Sequence, residues 1–225
     1  MIKALIFDVF GTLVDWRGSI AAELEPRLGD RAAPFADAWR QRYQPAMEDV
    51  RSGRRPFTPL DTLHRENLLA TMDDFDLTLS KSEIDDLNLV WHRLNGWPDT
   101  KAGLAQLSER FLLAPHSNGN VRLLIDLARH NGWHWDAILG AETTGFYKPR
   151  PESYQRAAEL LMLELGEVMM VAAHNDDLAA ARACGLATAF IPRPTEHGEG
   201  QTIDLLPTAD WEFVAPSLTE LAATL

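Results

Sequence analysis

Four polar clusters stand at or near the ends of apolar runs, and each could do chemistry. Asp8 closes the run Ala4-Leu5-Ile6-Phe7 and is followed by Gly11-Thr12. Carboxylates are seldom buried without a partner or a role. A glycine turn beside one can present backbone N–H groups to an anion. Asp8 is therefore a candidate reacting or binding group; a carboxylate capping the next turn is the alternative. Ser117-Asn118-Gly119 follows a second apolar run and opens a helical pattern. Hydroxyl, amide and helix N-terminal N–H groups there can hold an anion, or simply cap. Lys148 precedes Pro149 at the start of an amphipathic segment, where a lone lysine is usually solvated. Asp176 and Asp177 follow the apolar run 168–173 and suit the positive end of a helix dipole.

The elements that must position these groups can be read from periodicity. Residues 4–7 are apolar throughout, as in a parallel strand buried on both faces. Ligands of open α/β sheets bind at the carboxyl ends of the strands, where Asp8, Ser117 and the Asp pair fall. Residues 16–95 read as helices only: 20–28 capped by Ser19, 34–53 with Pro45 as a kink, 58–72, and a fourth capped by Ser80 or Ser82. The alternating pattern resumes at Trp97-Pro98. Helices are expected at 100–110, 121–131, 151–164, 177–184 and 217–225, and strands at 111–114, 137–139, 168–173, 187–191 and 213–214. Strands alternating with helices predict an α/β fold, a doubly wound parallel sheet. The helical block between them reads as an inserted cap. The expected division is a Rossmann-like core of residues 1–15 and 96–225 and a cap of residues 16–95.

Composition narrows the function classes. The chain has 225 residues, 46% of them hydrophobic, enough for a core with an inserted cap. A net charge of −12 disfavours a general nucleic-acid or anionic-membrane surface. It leaves open a local basic pocket for an anion. The single cysteine, Cys184, sits at an apolar helix end and suits packing. No signal peptide or membrane-spanning run is read, so a soluble cytoplasmic protein is expected.

The run Asp8-Val9-Phe10-Gly11-Thr12-Leu13-Val14-Asp15 resembles the first motif of the haloacid dehalogenase superfamily, whose leading Asp is a covalent nucleophile. Phosphatases of that superfamily carry a second Asp two residues on, as general acid. Phe10 stands there instead and cannot donate a proton, which resembles the L-2-haloacid dehalogenase branch. Ser117-Asn118 is similar to the second motif, implying a hold on substrate carboxylate and halide. Lys148-Pro149, with Tyr154 after it, resembles the third, where the lysine neutralises the nucleophile and lowers its pKa. Residues 171–177 resemble the fourth, and Asp177 falls on its second acidic position, which orients lysine and water. Trp39-Arg40-Gln41 resembles a cap motif whose Arg draws off the halide, and Phe57 loosely matches an apolar wall of the halide pocket.

Two departures stand out. Ala173 occupies the place of a Mg²⁺-ligating Asp of the phosphatases. The dehalogenase sequence Ser-Ser-Asn is here Ala172-Ala173-His174, with Asp176 in place of a pocket aromatic. His174 can donate like an amide and can also titrate near neutral pH. What the resemblance implies is a hydrolytic dehalogenase of short L-2-haloalkanoic acids without cofactor or metal. Asp8, Thr12, Arg40, Lys148, His174 and Asp177 would be its catalytic groups. Val9, Phe10, Ser117, Asn118, Tyr154 and Phe57 would bind substrate. The expected partners are the 2-haloacid and its halide, with no nucleic acid and no membrane; a homodimer is compatible. Competing readings are a phosphatase, a hydrolase acting on another activated carbon, and a non-catalytic binding protein.

Overall fold

The computed structural model describes all of residues 1–225. The elements are β1 (Ala4–Phe7), β2 (Val14–Asp15), α1 (Trp16–Leu28), α2 (Ala32–Gln41), α3 (Tyr43–Arg51), α4 (Leu60–Asp74) and α5 (Lys81–Asn88). They continue with β3 (Asn95–Gly96), α6 (Thr100–Leu107), β4 (Leu112–Pro115), α7 (Val121–Asn131), α8 (Ala141–Thr144) and α9 (Pro151–Leu160). The chain closes with β5 (Val168–Ala172), α10 (Asn175–Ala183), β6 (Ala187–Phe190), β7 (Phe213–Val214) and α11 (Leu218–Thr224). Five strands form one parallel sheet in the order β4-β1-β5-β6-β7. No helix is long and apolar enough to cross a membrane.

Alternation along the strands splits the core into two apolar layers. Leu5, Phe7, Met169 and Val171 face α6, α7 and α11 through Leu104, Leu127 and Leu218. Ala4, Ile6, Met170 and Ala172 pack with Tyr154 and Ala157 of α9 and Leu178 of α10. The sheet is thus covered on both sides, as the alternating pattern predicts. β1 lies between β4 and β5 in register, with Phe7 opposite both Pro115 and Val171. The Asp8 N–H donates to Val171 O (3.0 Å), and the His116 N–H donates to Phe7 O (2.7 Å). These bonds hold the carboxyl ends of three strands together at a point where the connections turn to opposite sides, the usual place for a ligand.

The helical insertion leaves the sheet at Asp15 and returns at Asn95. Its two connections are paired as an antiparallel ribbon, β2 with β3. Ser19 ties them again: its hydroxyl donates to Asp15 O (2.6 Å) and accepts from Asn95 N (2.9 Å). That bond explains a shift from expectation. Asp15, not Ser19, caps α1, because its carboxylate accepts from Gly18 N and starts the helix at Trp16. The single expected helix 34–53 is two helices broken at Arg42, with Pro45 in the first turn of α3 where its missing N–H costs least. Ser80 caps α5 with Glu83 in a reciprocal capping box. The insertion meets the core through aromatic rings. Phe10 is edge-on to Trp91 (5.5 Å between centroids), and Trp91 stacks on His64 (4.1 Å).

One expected strand is absent. Residues 137–139 run beside β4, with Leu139 N bonded to Pro115 O (3.1 Å), yet no ladder forms. The Asp136 carboxylate takes the Leu113 N–H (2.8 Å), the donor a neighbouring strand would use. Because β1 carries Asp8, its packing is tested by Ile6→Ala. This removes a fully buried side chain and is expected to cost about 2–5 kcal/mol. A urea melt should show a lower midpoint at unchanged slope.

Candidate active site

Asp8 is the centre of the site. The strand that delivers it ends one residue earlier, and Gly11, at φ +89°, turns the chain so that Thr12 folds back onto it. The Thr12 hydroxyl donates to Asp8 Oδ2 (2.7 Å) and accepts from Ala173 N (2.9 Å). Lys148 Nζ donates to Asp8 Oδ1 (2.9 Å) and to Asp177 Oδ2 (2.5 Å). Tyr154 Oη donates to Asp177 Oδ1 (2.6 Å). Asn118 Oδ1 accepts from the Lys148 backbone N–H (2.8 Å), fixing the lysine's approach. All of these side chains are buried.

The ionisation states follow from the pairing. Burial alone would raise Asp8, but Lys148 and then His174 outweigh it and hold the carboxyl well below the usual carboxylate range. Burial would lower Lys148, yet Asp177 and Asp8 together push it above its usual value. Asp177 is raised by burial, which Lys148 partly offsets and the Asp8 charge reinforces. Asp8 is therefore held ionised, and Asp177 is the more basic of the two carboxylates.

On the other side of Asp8 lies His174. Its Nδ1 is 3.2 Å from Asp8 Oδ2, and its Nε2 is 2.9 Å from Glu196 Oε2. A carboxylate faces each ring nitrogen, so both nitrogens must carry hydrogen to satisfy the pair. Burial opposes a charged ring, but Glu196 and then Asp8 hold the His174 pKa well above the usual histidine value. Glu196 is 1% exposed, and Trp16 Nε1 donates to its other oxygen (2.9 Å).

An open cleft of about 1130 Å³ runs between core and insertion, lined by Asp8, Phe10, Arg40, Lys148, His174 and Glu196 among others. Arg40 enters from α2. Its guanidinium carbon lies 4.0 Å from the Tyr43 ring centroid, 5.5 Å from Trp16 and 5.8 Å from Phe10. Its Nη1 is buried with no hydrogen-bond partner. An unpaired buried donor on a cation is an anion site in waiting.

The structure brings Asp8, Phe10, Thr12, Arg40, Asn118, Lys148, Tyr154, His174 and Asp177 to this place. Tyr154 meets Asp177 and is fully buried, so it braces the carboxylate instead of facing the cleft. Val9 is packed in the core. Ser117 is buried, and its hydroxyl accepts from Gly119 N (3.1 Å). Phe57 lies apart: it is 42% exposed and stacks on Tyr147 at 5.5 Å. Glu196 and Trp16 were not singled out from the sequence. Glu196 sits in the loop after β6, so the rule of strand carboxyl ends could have found it; Trp16 carries no comparable signal.

A Mg²⁺ site of the phosphatase kind does not fit these residues. Ala173 presents no ligand atom where a carboxylate would be needed, and no group of three or more His, Cys, Asp or Glu is arranged to hold a metal.

A parallel sheet with an inserted helical cap and an ionised Asp at the end of its first strand defines a class. The chain belongs to the haloacid dehalogenase-like hydrolases, whose family pattern it matches over residues 2–185. Within that class it is 47% identical to the crystal structure of an L-2-haloacid dehalogenase, covering 100% of this chain and 98% of that one, with a TM-score of 0.95. A defluorinating L-2-haloacid dehalogenase is 46% identical over 100% and 95% of the two chains, with a TM-score of 0.96. The (S)-2-haloacid dehalogenase of Xanthobacter autotrophicus is 29% identical over 201 residues, 88% of this chain and 78% of that one.

Lys148→Met tests the electrostatics. It leaves Asp8 and Asp177 buried without the ammonium they share and is expected to destabilise the fold by about 3–5 kcal/mol. Urea unfolding at neutral pH measures this.

Proposed function

We propose that the chain is a hydrolytic dehalogenase. It converts short L-2-haloalkanoic acids to 2-hydroxy acids of inverted configuration through an ester on Asp8. The observation that carries this reading is the opposition of two groups across the cleft: an Asp8 carboxylate kept ionised by Lys148, and the Arg40 guanidinium with an unpaired buried N–H. The cap is taken as residues 16–95 and the core as 1–15 and 96–225. The relatives named above are 2-haloacid dehalogenases, which supports the choice over other activated carbons.

In this mechanism the substrate carboxylate lies near Ser117 and the backbone N–H groups of Val9 and Phe10. Asp8 attacks the halogen-bearing carbon from the face opposite the halide. Arg40, with the Asn118 amide nitrogen, receives the leaving anion. Attack at carbon needs no general acid for the halide, so an aromatic at position 10 is compatible with turnover. The ester splits one hard displacement into two easier steps. Water then attacks the Asp8 carboxyl carbon beside Asp177 and Lys148, and the carboxylate is regenerated. A phosphatase would need a proton donor and a metal site that Phe10 and Ala173 cannot supply.

Incubation with L-2-chloropropionate should release chloride and yield D-lactate, while Asp8→Asn should release essentially none with the fold intact. Chloride release by the Asn variant at a substantial fraction of the wild-type rate would remove Asp8 from the nucleophile role. Halide gains its full negative charge late in the displacement, so Arg40 stabilises the transition state more than the neutral C–X bond. Arg40→Ala should slow single-turnover ester formation by about 10²–10³, by analogy with oxyanion donors, and Arg40→Lys should recover little of it. Rapid-quench measurement of halide release checks both.

A further inference from the structure

The two oxygens of Asp8 are not equivalent. Oδ1 accepts one hydrogen bond, from Lys148 Nζ at 2.9 Å. Oδ2 accepts from the Thr12 hydroxyl at 2.7 Å and faces His174 Nδ1 at 3.2 Å. A carboxylate oxygen has two in-plane lone pairs. Both lone pairs of Oδ2 are engaged, whereas Oδ1 keeps one for an incoming carbon. Alkylation at Oδ1 therefore makes Oδ2 the carbonyl oxygen of the ester, with two donors already aimed at it. The Thr12 hydroxyl cannot turn away, because it also accepts the Ala173 N–H at 2.9 Å.

The far side of His174 is built to keep the ring in place. Glu196 Oε2 meets Nε2 at 2.9 Å, and Trp16 Nε1 holds Oε1 at 2.9 Å. The carboxylate lies against Gly11, where a Cβ would come within 2.1 Å of Oε1. The turn after the nucleophile is thus a glycine partly to admit Glu196.

We infer that His174, held doubly protonated by Glu196, is an oxyanion donor for hydrolysis of the Asp8 ester, with Glu196 as its positioning residue. The inference rests on the ester intermediate proposed above. Water adds to Asp8 Cγ and gives up a proton to Asp177 Oδ2, which is tied to Lys148. The C=O electron pair moves onto Oδ2, where Thr12 and the His174 imidazolium stabilise it. The pair returns, the Cγ–Oδ1 ester bond breaks, and the 2-hydroxy acid leaves with the proton from Asp177. The new carboxyl group of Asp8 then releases its own proton to solvent. Overall, haloacid and water give hydroxy acid, halide and one proton, and His174 keeps its protons throughout.

Forming the ester removes the Asp8 charge, so one of the two carboxylates facing His174 disappears. Glu196 is what remains to keep the ring charged. The other charged or titratable groups around it are Lys148 and Asp177 beyond Asp8, Arg40 from the cap, His197 at 3.7 Å from Glu196, and Asp176 on the same helix.

An oxyanion donor and a general base predict opposite pH profiles. With a charged donor, the single-turnover rate of ester hydrolysis in the wild-type protein falls as pH rises through the His174 ionisation, separate from the low-pH limb that protonation of Asp177 imposes. Glu196→Gln should move that falling limb to lower pH. His174→Ala should still release one equivalent of halide per site in a burst, then hydrolyse the ester about 10²–10³ more slowly than wild type. Intact mass of the quenched protein should show the adduct. His174→Asn, which keeps an N–H donor without charge, should fall between.

A hydrolysis rate that rises with pH through an ionisation shifted by Glu196→Gln would overturn the inference in favour of a base. So would wild-type hydrolysis in His174→Ala. Steady halide release with no burst and no adduct in any of these proteins would instead remove the ester reading, and this inference with it.

Discussion

The buried ammonium of Lys148, shared between Asp8 and Asp177, is the interaction on which the site depends. It belongs to a longer series in which sign alternates from group to group: Asp177, Lys148, Asp8, His174, Glu196. Neutral donors close both ends, Tyr154 on Asp177 and Trp16 on Glu196. Taking five charges out of water is costly, and attraction offsets that only when geometry is fixed and the remaining lone pairs are met. The alternation and the two terminal donors meet that condition. The result is an Asp8 carboxylate that is ionised, desolvated and unable to change rotamer without breaking several contacts.

The sheet makes this arrangement affordable to fold. Asp8 follows β1, His174 and Asp177 follow β5 and Glu196 follows β6, while Lys148 comes from the loop between α8 and α9; the register of β1 with β5 brings the first two strand ends level. Local chain chemistry does the rest: Gly11 turns Thr12 back, and Asn118 holds the Lys148 backbone. The cap contributes little charge to the series. Its part is the Arg40 guanidinium, laid on aromatic rings, and Trp16, the first residue of the insertion. One helix end therefore serves the charged series and the cap alike.

Much of the core was legible in the sequence because apolar runs and their terminal polar residues are local signals. Asp8, Lys148 and Asp177 are legible from their wording and order, and Lys148 lies within hydrogen-bonding distance of both carboxylates. What sequence could not supply were groups whose role depends on distant neighbours. Glu196 lies in a polar loop and becomes notable only once His174 is seen beside it. The strand expected at 137–139 failed because Asp136 took the donor a partner strand needs, a side-chain choice that periodicity cannot register. Phe57 was placed by a loose motif match and stacks on Tyr147 instead. Ser19 and Pro45 were read with the right chemistry at the wrong boundary, since Asp15 offered an earlier cap and Arg42 an earlier break.

Phe10 shows how such a site constrains its own history. Its ring is edge-on to Trp91, Tyr43 and His64 and lies under Arg40, so it is part of the contact between cap and core. Exchanging it for an acid would set a carboxylate among aromatic rings, while position 173 still offered no ligand. Neither change is useful without the other, and the first also loosens the cap. Converting one chemistry to the other would thus take at least two substitutions, the first of which disturbs the packing of cap on core. The branch point between them lies in the packing of a hydrophobic ring as much as in the loss of an acid.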